Sequence, residues 1–241
     1  MVCEPLNIVY LPVPKVACTL FATFIALESR LGSDFDPGRH NIHGYRQREP
    51  RLQLTHMRLL NDPRYFRFTV VRDPFSRLVS AYVDKLVKPI QEGLSWATDE
   101  RCGNFSFEDV VKRMCRLRDA QIEKHFRPQA AFLRNVVFDH IGVFEQLDHT
   151  FEVLKNRYGI DVEGEVASKV RAPKRTKYQS PAVGVSDYVG HLKARDLAKL
   201  GIPSVDSFYN DHLRAMVRKR YKEDFALHEH AFSLLQAKKD D

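Results

Sequence analysis

Short β-branched apolar runs alternate along this chain with longer stretches whose apolar residues recur at helical spacing. Asn7 to Val13 (NIVYLPV) is a compact run closed by prolines, which predicts a strand, and Cys18 to Leu31 (CTLFATFIALESRL) is long and apolar enough for a buried helix. Leu52 and Leu54, separated by one polar residue, predict a second short strand ending near Thr55 and His56. Phe66 to Val71 (FRFTVV) predicts a third, stopped by Arg72-Asp73-Pro74. From there Phe75, Leu78, Val79, Tyr82, Val83, Leu86 and Val87 form one helical stripe. That stripe leaves Ser80 at its border and Arg77 on its polar side. Ser106 to Asp109 has the form of a capping box ahead of Phe107, Val110, Val111, Met114 and Leu117, which predicts another helix. Val136 to Phe144 (VVFDHIGVF) predicts a fourth strand, followed by a helix from Leu147 to Tyr158 that Gly159 ends. The mixed-charge segment Glu163 to Gln179 predicts a loop-rich insertion, and Tyr209, Leu213, Met216 and Val217 a last amphipathic helix.

Strands that alternate with helices predict an α/β fold, a parallel sheet covered by helices on both faces, because a parallel crossover needs an intervening segment. The carboxyl ends of such strands share one edge, where ligands bind. Lys15 follows the first strand, His56 the second and Arg72 the third, so three chemically useful side chains are expected to converge there. The 241 residues, 44% of them hydrophobic, suit a single domain over 1–241, with no repeat or linker to divide it.

A formal charge of +7 and a pI near 9.2 favour an anionic partner: a nucleotide, an acidic glycan, a nucleic acid or a membrane surface. Aromatic RNA-binding signatures and zinc-finger spacings are absent, which argues against nucleic acid. Cys3, Cys18, Cys102 and Cys115 form neither a C-x-x-C pair nor a disulfide framework. No apolar stretch approaches a membrane span, and the first strand starts too early for a signal peptide. With Met1 as the native start, the expected location is the cytoplasm. Removal of an N-terminal anchor would make it the Golgi lumen.

Pro14-Lys15-Val16-Ala17-Cys18-Thr19 lies between a strand and a helix, where first-turn N–H groups and the helix dipole make an anion site. Lys15 adds a charge and Thr19 a hydroxyl. The first glycine is Gly32, so the segment is not a Walker A loop. It resembles the 5′-phosphosulfate loop of the sulfotransferases, in the form P-K-V-A-C-T common to their carbohydrate branch. The dodecamer Val71-Arg72-Asp73-Pro74-Phe75-Ser76-Arg77-Leu78-Val79-Ser80-Ala81-Tyr82 is similar to the same family's 3′-phosphate motif, V-R-x-P-x-x-R-L-x-S-A-Y. His125-Phe126-Arg127-Pro128-Gln129 looks like its H-x-x-P-Q element, Ile141-Gly142-Val143-Phe144-Glu145 like its I-G-x-F-E strand, and Tyr221-Lys222-Glu223-Asp224-Phe225 like its Y-x-x-D-F helix. Where relatives often show H-x-N-x-S/T, the nearest segment here is Pro173-Lys174-Arg175-Thr176.

The resemblance implies a P-loop-like three-layer fold and transfer of a sulfuryl group from 3′-phosphoadenosine 5′-phosphosulfate (PAPS) to a hydroxyl, most naturally of a glycan. It implies a donor held by Lys15, Val16, Ala17, Cys18 and Thr19 at one end and by Arg72 and Ser80 at the other, with Lys174, Arg175 and Thr176 as further candidates. Lys15 would stabilise the leaving oxygen. His56, in a Thr55-His56-Met57 segment like those that carry the family's histidine base, is the expected base, since an imidazole titrates near operating pH. His43 and His40 are its rivals, and His43, His125 and Arg127 are candidates for holding substrate. No metal is expected, because neither an H-x-x-x-H pair nor a compact carboxylate cluster occurs. A nucleotide kinase would want the missing glycine loop, and a non-catalytic polyanion-binding module would be indifferent to His56.

Overall fold

A computed structural model describes residues 1–30, 35–37, 39–53, 57–92, 103–169 and 188–237. Among them are four strands in one sheet of order β1-β2-β3-β4: β1 Val2–Cys3, β2 Ile8–Tyr10, β3 Phe66–Val71 and β4 His140–Val143. β2, β3 and β4 run parallel, with Tyr10 beside Phe68 and Val71 beside Val143, while the two-residue β1 is antiparallel to β2. Helices between the parallel strands make this the α/β architecture that the alternation predicts. No helix among the described residues is long and apolar enough to cross a membrane.

The chain forms two compact units, 1–72 with 129–174 and 227–241, and 73–128 with 175–226. The first contains the sheet. Its core is aromatic and β-branched: Tyr10, Phe21 and Phe68 are fully buried, with the Tyr10 and Phe68 rings stacked at 4.9 Å and Phe21 edge-on to Phe68 at 5.4 Å. Ile8, Val70 and Val143 extend this core along the sheet, and the helix Cys18–Glu28 buries Phe21, Phe24 and Ile25 in it. Burial of an aromatic or branched side chain stabilises by about 1.5–3 kcal/mol, so the apolar face holds this helix despite its lack of a side-chain cap.

The second unit is helical. The stripe from Phe75 to Val87 is buried as predicted, first in the α-helix Pro74–Tyr82 and then in the π turn Val83–Val87. Phe107, on the helix Phe107–Arg116, meets Tyr82, Phe208 and Tyr209 at 5.1–5.5 Å between ring centroids. Ser106 and Asp109 form the reciprocal capping box, each accepting from the other's backbone N–H.

Several expectations are corrected. Leu52 lies in the 3-10 turn Pro50–Leu52, where Pro50 opens the turn and Glu49 accepts from the Arg51 N–H, and not in a strand; Leu54 to His56 lie outside the described residues. Part of the supposed insertion is the helix Val162–Lys169, in which Val162 and Val166 are buried in the first unit's core. The fourth strand is shorter than predicted because Asn135 takes a left-handed φ of 62° and Val137 is 77% exposed. A further helix, Lys222–Ala237, follows Asp211–Arg220.

Candidate active site

Parallel pairing of β2 with β3 carries the two segments that resemble phosphate motifs to the same sheet edge. The sheet holds the chain as far as Leu11, whose N–H donates to the Phe68 carbonyl at 3.1 Å and whose carbonyl accepts from the Thr69 hydroxyl at 2.8 Å. Past that point Val16 is fully buried and anchors the loop from below. On either side of it Lys15 and Ala17 both adopt left-handed backbone, with φ of 70° and 59°. Ala17 is the N-cap of the helix Cys18–Glu28 and makes no side-chain cap bond, so no side chain at the N-cap takes up the first-turn N–H groups. From the adjacent strand end, the Arg72 guanidinium donates through Nη1 to the Lys15 carbonyl at 3.2 Å. Arg72 thus reaches the main chain of Lys15, while His56, the third side chain expected there, lies outside the described residues.

Arg72 is held at several points. Its N–H donates to Gln129 Oε1 at 3.0 Å, its carbonyl accepts from Gln129 Nε2 at 2.8 Å, and its guanidinium lies over the Phe144 ring at 4.2 Å from the centroid. The motifs around Gln129 and Phe144 are visible in the sequence. Nothing in their spacing reveals that Arg72 is what they grip.

His43 also reaches the loop. Asn41 caps the helix Ile42–Arg48 by accepting from the His43 N–H at 3.0 Å, and buried Ile42 seats it in the core. His43 Nε2 lies 3.0 Å from Thr19 Oγ1 and 4.0 Å from Cys18 Sγ. His40 is engaged differently: its Nδ1 accepts from the Asp36 N–H at 2.9 Å and its ring packs with Phe35 and Tyr45. His56, Lys174, Arg175 and Thr176 lie outside the described residues.

In the second unit, Asp73 caps the helix Pro74–Tyr82 by accepting from the Ser76 N–H at 2.8 Å, and Ser80 is half-buried on that helix. Arg77 departs from expectation. It is fully buried and donates through Nη2 to the Arg127 carbonyl at 2.8 Å, a main-chain acceptor that lets the cation sit among apolar neighbours. The Tyr221 hydroxyl likewise donates to the Phe126 carbonyl at 2.7 Å. His125 binds Glu123 through both its N–H, at 2.8 Å, and its ring, at 2.7 Å. Burial by itself would raise the Glu123 carboxyl, and these bonds outweigh it, leaving the group below its ordinary value. Arg127 donates to the Ile122 carbonyl at 3.1 Å. Of the candidates for substrate contact, His125 and Arg127 are therefore bound into the fabric of their own unit, while His43 lies against Thr19.

Among the described residues no cluster of three or more His, Cys, Asp or Glu side chains is arranged to hold a metal ion.

Comparison with known proteins matches residues 1–231 to the model of the Sulfotransferase family. One similar protein is Carbohydrate sulfotransferase 10 of Xenopus laevis, 26% identical over 224 residues, an alignment covering 80% of this chain and 61% of the relative. The chain thus spans 61% of the length of the curated relative it matches.

Proposed function

Because the chain belongs to the sulfotransferase family, we propose that it transfers the sulfuryl group of PAPS to a carbohydrate hydroxyl and releases adenosine 3′,5′-bisphosphate. The observation that carries this reading is the Arg72–Lys15 link, which joins the two phosphate motifs at one strand edge. The residues fit a nucleotide with a phosphate at each end. The uncapped first turn and Lys15 suit the 5′ end and Arg72 the 3′ end, to which the motif's resemblance also assigns Ser80. A carbohydrate acceptor is favoured by the name of the Xenopus relative and by the H-x-x-P-Q and I-G-x-F-E elements.

The acceptor oxygen attacks sulfur as the bond from sulfur to the 5′-phosphate oxygen breaks, and the acceptor's proton passes to a histidine. Lys15 and the first-turn N–H groups bind the charge that grows on the departing phosphate oxygen, an electrostatic role that requires only fixed donors. Arg72 holds the ribose 3′-phosphate and so sets the register of the donor, and the motif's resemblance gives Ser80 a part in the same task. His56 takes the proton.

The 3.0 Å approach of His43 to Thr19 favours a second reading in which His43 is the base. His56→Ala and His43→Ala distinguish the two. The base variant should lose roughly 10²- to 10⁴-fold in turnover with donor-product affinity retained. A histidine that only steadies Thr19 should lose affinity instead.

Calorimetric titration with adenosine 3′,5′-bisphosphate, ADP and ATP with magnesium tests the proposal, followed by transfer from labelled PAPS to a panel of neutral and acidic glycans. Metal-independent binding that needs the 3′-phosphate is expected. Preference for ATP with magnesium would overturn the reading in favour of a phosphotransferase.

A further inference from the structure

We infer that Gln129 is a positioning residue, whose side-chain amide holds the main chain of Arg72 and thereby presents the guanidinium to the ribose 3′-phosphate of the donor. The inference rests on the sulfotransferase reading and goes beyond it, since Gln129 belongs to neither phosphate motif.

The β3–β4 ladder ends at the pairing of Val71 with Val143, so the N–H and carbonyl of Arg72 are the first main-chain groups of that strand past the ladder. A buried peptide group must be partnered. Gln129 partners both sides of Arg72, accepting from its N–H at 3.0 Å and donating to its carbonyl at 2.8 Å. A primary amide carries an acceptor and a donor side by side, as a peptide does, whereas a carboxylate only accepts and an apolar side chain does neither. Gln129 is itself fully buried, so water has no access to replace it. It stands at the N-cap of the short helix Ala130–Leu133, yet its side chain does not cap that helix. The amide goes instead to a residue 57 positions earlier in the chain.

Holding the base of Arg72 matters because the guanidinium sits at the end of a long, flexible stem. With the main chain clamped, the contacts with the Lys15 carbonyl at 3.2 Å and the Phe144 ring at 4.2 Å aim the head. Released at its base, the same side chain would spread over many rotamers and reach the phosphate at an entropic cost.

The test is calorimetric titration of wild type, Gln129→Glu, Gln129→Leu and Arg72→Ala with adenosine 3′,5′-bisphosphate and with AMP, which lacks the 3′-phosphate. Thermal melting of each variant accompanies it. Both Gln129 variants should bind the bisphosphate roughly 10- to 100-fold more weakly, the scale of a lost buried hydrogen bond, with AMP affinity changed less than about threefold. In an Arg72→Ala background, Gln129→Glu should cost nothing further. Equal losses for both nucleotides, unchanged bisphosphate affinity, or a Gln129 effect that persists without Arg72 would each overturn the inference. Gln129→Glu keeps the shape and the acceptor, and carries the test if Gln129→Leu does not fold. A wild-type chain that does not prefer the 3′-phosphate would overturn the sulfotransferase reading itself, and the inference with it.

Discussion

Two residues carry most of the charge proposed to meet the donor, and both are fixed through their main chains. Lys15→Ala and Arg72→Ala should each weaken binding of adenosine 3′,5′-bisphosphate by roughly 10- to 100-fold, the scale of a charge-assisted hydrogen bond, as read by calorimetry. The expected change in melting temperature is small for Lys15→Ala, whose side chain lies on the loop. Arg77→Ala should behave in the opposite way. It removes a fully buried side chain and its bond to the Arg127 carbonyl, so the loss, about 3 kcal/mol, should appear as lower unfolding stability in denaturant. At this scale the sequence shows which residue types are present and in what order. It does not show that Arg77 points inward, because the helical stripe assigns a face by hydrophobicity and a cation bonded to main-chain carbonyls violates that rule.

At the scale of elements, the strands β3 and β4 are joined by more than their ladder. Asp139 accepts from the Arg67 Nε at 2.8 Å, Nη2 at 2.9 Å and N–H at 2.8 Å, and these bonds hold its carboxyl below the ordinary value. The resulting stability is fully present above the unfolded-state pKa, near 3.9, and is lost as pH falls through the lower folded value. Solvent screening of a carboxylate side chain 35% exposed limits it to about 1 kcal/mol or less. Asp139→Asn should therefore flatten the stability curve below about pH 4, as followed by acid titration of circular dichroism. Packing across β4 is stricter. A Cβ on Gly142 would overlap the Thr150 hydroxyl, which is bonded to His140 Nε2 at 3.1 Å. Gly142→Ala is expected to cost about 1–3 kcal/mol by thermal melting, with part recovered on adding Thr150→Ala.

Elements with strong periodicity are legible in the sequence: β3, the stripe beyond Phe75 and the capped helix at Ser106 all stand where their patterns put them. Those missed had little pattern to offer. β1 is only Val2–Cys3, and Lys222–Ala237, whose start is marked in the sequence only by the Y-x-x-D-F likeness, carries enough charge to obscure its buried Ala231 and Leu235. The spurious strand at Leu52 arose from two leucines at alternate positions, which the local geometry of Pro50 overrides.

For the whole molecule, the formal charge of +7 adds a long-range attraction for anionic nucleotides that salt should screen. Association rates for adenosine 3′,5′-bisphosphate in stopped flow are expected to fall as ionic strength rises from 0.05 to about 0.5 M, while dissociation rates change less. Bound nucleotide at 100 times its dissociation constant should stabilise the fold by about 2.7 kcal/mol, visible as a rise of several degrees in melting temperature. The joining of the two phosphate motifs follows from topology that the alternation of strands and helices anticipates. The amide and ring that hold Arg72 come from beyond that pattern, since contacts with Gln129 and Phe144, so far along the chain, leave no periodic trace.

The loop proposed to hold the donor has no glycine, although Lys15 and Ala17 occupy backbone that glycine would take without penalty. Each such residue costs about 1–2 kcal/mol relative to its relaxed conformation, so the loop keeps its shape only while its surroundings insist on it. Buried Val16 below and the Arg72 guanidinium at the Lys15 carbonyl are what insist. Warming loosens such restraints before it dissolves a core. The proposed grip on the nucleotide should therefore loosen on heating by a local melting of the cradle before the sheet that carries it collapses, seen as nucleotide affinity lost while far-UV circular dichroism is still unchanged.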